Sequence, residues 1–84
     1  MNSQEVKSLV EAGFDGADVA VEGSGDRFQI RVVSDAFEGL MPVKRQQLVY
    51  STINACIADN SIHAVQLFTF TPAEWENAQN HGLD

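Results

Sequence analysis

Apolar residues recur at helical spacing near the start of the chain, where Val6, Leu9, Val10 and Phe14 fall at i, i+3, i+4 and i+8. Asn2, with Glu5 three residues later, spells a capping box ahead of them, and Gly13 and Gly16 mark the stop. The period then changes to two. Val19 and Val21 alternate with Asp18, Ala20 and Glu22, and Phe28, Ile30 and Val32 alternate with Gln29 and Arg31, which predicts two short strands. Gly23-Ser24-Gly25-Asp26 between them supplies the glycines of a tight reversal, so the pair is expected to be an antiparallel hairpin. Ser34 to Gly39 reads as one capped helical turn ended by glycine, and Pro42 opens a longer helix through Ala58. Its predicted apolar stripe is Val49, Ile53, Cys56 and Ile57, with Leu48 and Thr52 beside them and Lys44, Arg45, Gln46 and Asn54 largely off it. Asp59-Asn60-Ser61 ends that helix, and Ile62 to Phe70 reads as a third strand. Thr71 as N-cap, Pro72 at N1 and Glu74 at N3 start a last helix carrying Trp75, and positions 79–84 are expected to fray.

The order α-β-β-α-α-β-α predicts an α+β fold, a two-layer sandwich in which helices cover one face of a three-stranded sheet and the other face is wet. One domain over 1–84 is expected, with its core over about 2–78. Composition narrows the function. The 84 residues are 44% hydrophobic and 20% charged, as in an ordinary globule, and a chain this short has little room for a catalytic cleft, which favours binding over an enzyme. A formal charge of -7 opposes non-specific binding to nucleic acid or anionic membrane. The sign is uneven: between Arg27 and Tyr50, Arg27, Arg31, Lys44 and Arg45 stand against only Asp35 and Glu38. Cys56 is the single cysteine, so one chain has neither an internal disulfide nor an all-cysteine metal site, and a reducing compartment fits. With no signal-peptide pattern at the first residues and no apolar stretch of spanning length, the expected location is cytoplasmic, away from membranes.

Candidate chemistry is sparse. Gly23-Ser24-Gly25 joins two strands between Glu22 and Asp26 and does not open a helix, unlike a phosphate loop. Ser34, Asp35 and His63 could be written as a hydrolytic triad, yet nothing in their spacing puts a base beside a nucleophile. Cys56 lies on an apolar stripe as a small hydrophobe, and Trp75 is expected to pack on the body or to anchor a partner. His63, after a polar turn and in step with Val65 and Leu67, reads either as a half-buried structural histidine or as a metal ligand.

Three stretches carry a resemblance: Arg27-Phe28-Gln29-Ile30-Arg31-Val32-Val33-Ser34-Asp35-Ala36-Phe37-Glu38-Gly39, then Val43-Lys44-Arg45-Gln46-Gln47-Leu48-Val49-Tyr50, then Ile62-His63-Ala64 with Thr71-Pro72-Ala73-Glu74-Trp75. Over about Asp18 to Trp75 the chain resembles the BolA family, and its Lys44-Arg45-Gln46-Gln47 and Ala58 to Val65 runs are similar to the bacterial IbaG-like branch. The resemblance implies a class II KH-like α+β domain, in agreement with the element order. It also implies partnership with a monothiol glutaredoxin in a heterocomplex that shares a [2Fe-2S] cluster, serving iron homeostasis or stress signalling. The glutaredoxin would supply its active-site cysteine and a glutathione thiolate, and this chain His63, the family's motif histidine. No cofactor is expected in the isolated protein, which would be a monomer or weak dimer. Relatives usually carry a second ligand, His or Cys, just before the Phe of the second strand. Here Asp26 and Arg27 precede Phe28, and an arginine offers iron no lone pair, so Asp26 substitutes, fewer ligands serve, or no cluster is held. A weaker or rearranged cluster site is the expectation. The alternative is a KH-like transcriptional regulator that contacts DNA, weakly and salt-dependently, through Lys44 and Arg45. The Gly-x-x-Gly loop of nucleic-acid-binding KH modules is replaced by Glu38-Gly39-Leu40-Met41.

Overall fold

In a computed structural model, which describes residues 1–82, the chain runs α1 (Ser3–Gly13), β1 (Asp18–Ser24), β2 (Arg27–Val33), a 3-10 turn (Asp35–Phe37), α2 (Pro42–Ala58), β3 (Ala64–Phe70) and α3 (Pro72–Gly82). Local chemistry sets the starts. Asn2 Oδ1 accepts the Glu5 N–H at 2.8 Å while Glu5 Oε1 accepts the Asn2 N–H at 3.3 Å. Thr71 and Glu74 form the same reciprocal pair, at 2.9 and 3.2 Å, ahead of α3. Ser34 Oγ accepts the Ala36 N–H at 3.1 Å to cap the 3-10 turn, and Pro42 sits in the first turn of α2, where its missing N–H has no helical partner to lose. The strands lie in the order β1-β2-β3, antiparallel and then parallel, and α2 supplies the crossover that a parallel neighbour requires.

Register divides the sheet into two faces. Val19 opposes Val32, Val21 opposes Ile30, and Phe28 and Ile30 lie beside Val65 and Leu67. This inner face packs on Val6 and Val10 of α1 and Val49 and Ile53 of α2, all but completely buried, with Phe14, Phe37 and Ile62 closing the cluster. Phe14 and Phe37 meet edge to face at 5.4 Å between centroids. The helices approach closely at Gly13, where any Cβ would collide with Thr52 Cγ2.

Several expectations shift. β3 begins at Ala64 rather than Ile62, because Ile62 is buried and donates its N–H to Cys56 O at 3.1 Å, closing the end of α2 instead of extending the sheet. Along the α2 stripe Val49 and Ile53 are buried and Cys56 and Thr52 half-buried, but Leu48 and Ile57 are exposed at its opposite margins. Positions 79–82 of the expected frayed tail continue α3, and 83 and 84 lie outside the described residues. The outer face is covered at one end, where the Trp75 ring lies 4.4 Å from the Arg31 guanidinium carbon and 5.1 Å from Phe70. The rest of that face, including Phe68 at 44% exposure, meets solvent.

Candidate functional site

The β1–β2 hairpin and the start of β3 meet at one corner of the sheet. Gly23 at φ 129° and Gly25 at φ 66° bend the chain into the reversal, and a Cβ at Gly23 would run into the Arg27 carbonyl. The Asp26 carbonyl beyond them accepts two N–H groups from the distant strand, His63 at 2.7 Å and Ala64 at 3.0 Å. Parallel pairing then sets Arg27 beside Ala64. His63, Asp26 and Arg27 are thereby gathered at one corner, all three exposed.

The half-buried alternative for His63 is corrected: with the strand starting at Ala64, two residues later than expected, its side chain has no place in the sheet's alternation and is exposed to solvent. Its backbone is nonetheless fixed by the Asp26 carbonyl. A shallow groove of about 570 Å³ runs from this corner over the outer face, lined by Glu22, Arg27, Gln29, Ala64 and Gln66. The Gln29 amide donates to Gln66 Oε1 at 3.0 Å across it.

The donor set decides what the corner can hold. An exposed imidazole fits one position on an iron, Asp26 adds a carboxylate nearby, and Arg27 can only donate hydrogen bonds. Among the described residues no group of three or more His, Cys, Asp or Glu converges. A cluster held here therefore draws its other ligands from a second molecule. Cys56 is half-buried between α1 and α2, beside Leu9 and Ala12, and is no part of the corner.

The two cations of the nucleic-acid alternative have different fates. Lys44 is exposed. Arg45 is a structural clamp: its guanidinium meets both Glu74 oxygens, with Nη2 at 3.2 Å from Oε2, donates from Nε to Leu40 O at 2.9 Å, and lies 5.9 Å from the Phe37 ring centre. As a free phosphate contact Arg45 is thus corrected, because a carboxylate already occupies its planar fork. The hydrogen bond it donates to Glu74 holds the Arg45 guanidinium above its ordinary range. The Arg45 hydrogen bond, helped by the Thr71 N–H, holds the Glu74 carboxyl below the usual carboxylate range.

The paper triad does not assemble. Ser34 is buried and spent on capping, and it follows the end of β2 opposite to the corner of His63, a strand length of about 20 Å away. Sequence reasoning missed the Arg45–Glu74 clamp and the stacking of Arg31, paired with Asp18 at 3.2 Å, on Trp75. The one available signal was that an N3 glutamate, fixed by its cap, is a preset anchor for a cation.

Fold and site together define a small α+β domain that presents one histidine at a sheet corner. The model of the BolA-like protein family matches residues 6–74. The chain belongs to the BolA family, in its IbaG-like branch. It is 41% identical over 75 residues to the acid stress protein IbaG of Escherichia coli K12, covering 89% of each chain. A DNA-binding transcriptional regulator BolA of Vibrio cholerae is 44% identical over 54 residues, 64% of this chain and 50% of that one. Among solved structures, a BolA protein homologue from Coxiella burnetii superposes with a TM-score of 0.80 at 32% identity, over 90% of this chain and 97% of that one.

Proposed function

We propose that this protein is the histidine-supplying partner of a monothiol glutaredoxin, and that the pair shares a [2Fe-2S] cluster in iron homeostasis or stress signalling. The observation that carries the reading is His63, exposed in side chain yet held in backbone by the Asp26 carbonyl. A ligand must be accessible to a second protein and must lose little freedom on binding, and this corner meets both demands. The cluster, when bound, supplies one-electron chemistry and a transferable iron–sulfur unit. His63 would give one nitrogen lone pair to an iron, and the Asp26 carbonyl holds its backbone beside the hairpin tip. Asp26 would offer a further oxygen donor on the hairpin, and Arg27 a hydrogen-bond donor to anionic groups of the complex. Without a loop histidine or cysteine, the cluster is held more weakly than a two-histidine site would hold it.

The test is anaerobic reconstitution with a monothiol glutaredoxin and glutathione, followed by visible circular dichroism and size exclusion, for wild type and His63→Ala. A heterodimer whose cluster bands change or vanish in the variant is the expected result. Elution of the glutaredoxin as an unperturbed homodimer, with no heterocomplex, would sink the proposal. DNA retardation that falls with salt and with Lys44→Ala would then move function to the helix.

A further inference from the structure

The backbone of β3 leaves one row of hydrogen-bonding groups unused. Ala64 donates its N–H to Asp26 O at 3.0 Å and Phe70 O accepts the Ser34 N–H at 2.9 Å, so at both ends of β3 the even-numbered residues face β2. With parallel register unbroken from Arg27–Ala64 to Val33–Phe70, Gln66 and Phe68 face β2 as well. The N–H and C=O groups of Val65, Leu67 and Thr69 therefore point away from the sheet, and among the described residues no backbone bond from a loop or helix reaches them.

Exposed edges are ordinarily protected by charge, proline or a bulge. β3, Ala64-Val65-Gln66-Leu67-Phe68-Thr69-Phe70, has no charged residue and no proline, its register with β2 is unbroken, and Phe68 beside the edge is 44% exposed. The opposite edge, β1, carries Asp18 and Glu22. In a molecule of charge -7, two copies that meet along β3 bring no charged strand residue of either copy against the other, whereas two β1 edges would set Asp18 and Glu22 against their equivalents.

We infer that the β3 edge binds a second copy of this chain, antiparallel, with a two-fold axis at Leu67. Leu67 then pairs with its own equivalent, exchanging both N–H and C=O, and Val65 pairs with the partner copy's Thr69 in both directions, so all three outward residues are satisfied. On the outer face Phe68 lies across from Gln66 of the other copy, and no two carboxylates meet. The two sheets become one of six strands. β3 ends at Phe70, just before α3 begins at Pro72, and starts only at Ala64, so pairing is confined to this short stretch and the dimer is weak. Because each copy is acidic, added salt strengthens association, the reverse of an interface held by ion pairs.

The experiment combines sedimentation equilibrium over a wide concentration range with amide hydrogen exchange by NMR on the full chain. The expected result is a reversible monomer–dimer equilibrium, favoured by salt, in which exchange at Val65, Leu67 and Thr69 slows severalfold as concentration rises while outward amides of β1 do not change. Thr69→Pro removes an outward N–H and leaves the β2 ladder intact, so it should abolish the dimer, and Phe68→Lys should weaken it at least tenfold. Should Thr69→Pro fail to fold, Phe68→Lys and the exchange data on wild type still decide. A mass that stays monomeric into the millimolar range overturns the inference. So does a dimer whose formation leaves the Leu67 amide unprotected, or protection of that amide only when a glutaredoxin is added.

Discussion

At the scale of single residues, Arg45 and His63 show how similar sequence cues part ways in three dimensions. Arg45 is drawn into the fold by Glu74, whose position its own cap with Thr71 has already fixed. Its carboxyl, held below the usual range in the folded state, adds stability above its ordinary value of about 4.3, and that contribution disappears as pH falls through the lowered folded value. Glu74→Gln should therefore melt below wild type at neutral pH, and the gap should close between about pH 4.3 and more acid conditions, as thermal unfolding by circular dichroism will show. His63 makes only backbone bonds, so His63→Ala should leave the melting temperature unchanged, within about 0.5 kcal/mol, while removing the proposed ligand. The contrast is Phe37, fully buried against Phe14, where Phe37→Ala should cost about 3–5 kcal/mol in urea unfolding.

At the scale of elements, what was legible in the sequence was what local chemistry decides. The Asn2–Glu5 and Thr71–Glu74 boxes, the glycine hairpin and Pro42 at its helix start all lie within a few residues of their effects, and each stands where the pattern put it. Ile62 was misassigned because a β-branched residue at the end of α2 and one at the start of a strand look the same until the Cys56 carbonyl takes its N–H. The corner that gathers His63, Asp26 and Arg27 could not be read from spacing, since it depends on β3 pairing parallel to β2. The resemblance pointed to His63, but only the strand's late start puts that side chain in solvent. Thr71→Ala should cost about 1 kcal/mol by removing the acceptor for the Glu74 N–H and loosening the Arg45 anchor with it. Gly23→Ala should be worse, because both its φ and the Arg27 carbonyl refuse a Cβ, and loss of hairpin amide protection in hydrogen exchange would register it.

For the whole molecule, charge and connectivity set the terms. Seven excess negative charges repel one another in the folded state, so at low protein concentration the melting temperature should rise between salt-free buffer and about 0.15 M sodium chloride. A fall instead would mean that the Arg45–Glu74 and Arg31–Asp18 pairs outweigh that repulsion. Connectivity acts in time. The hairpin closes between neighbours in sequence, but the Gln29–Gln66 contact beside the corner joins residues 37 apart, with all of α2 between them. Local closures come early and distant ones late. The corner is therefore complete only after β3 docks beside β2, so a partly unfolded copy lacks the juxtaposition of Asp26, Arg27 and His63 even when its hairpin is formed.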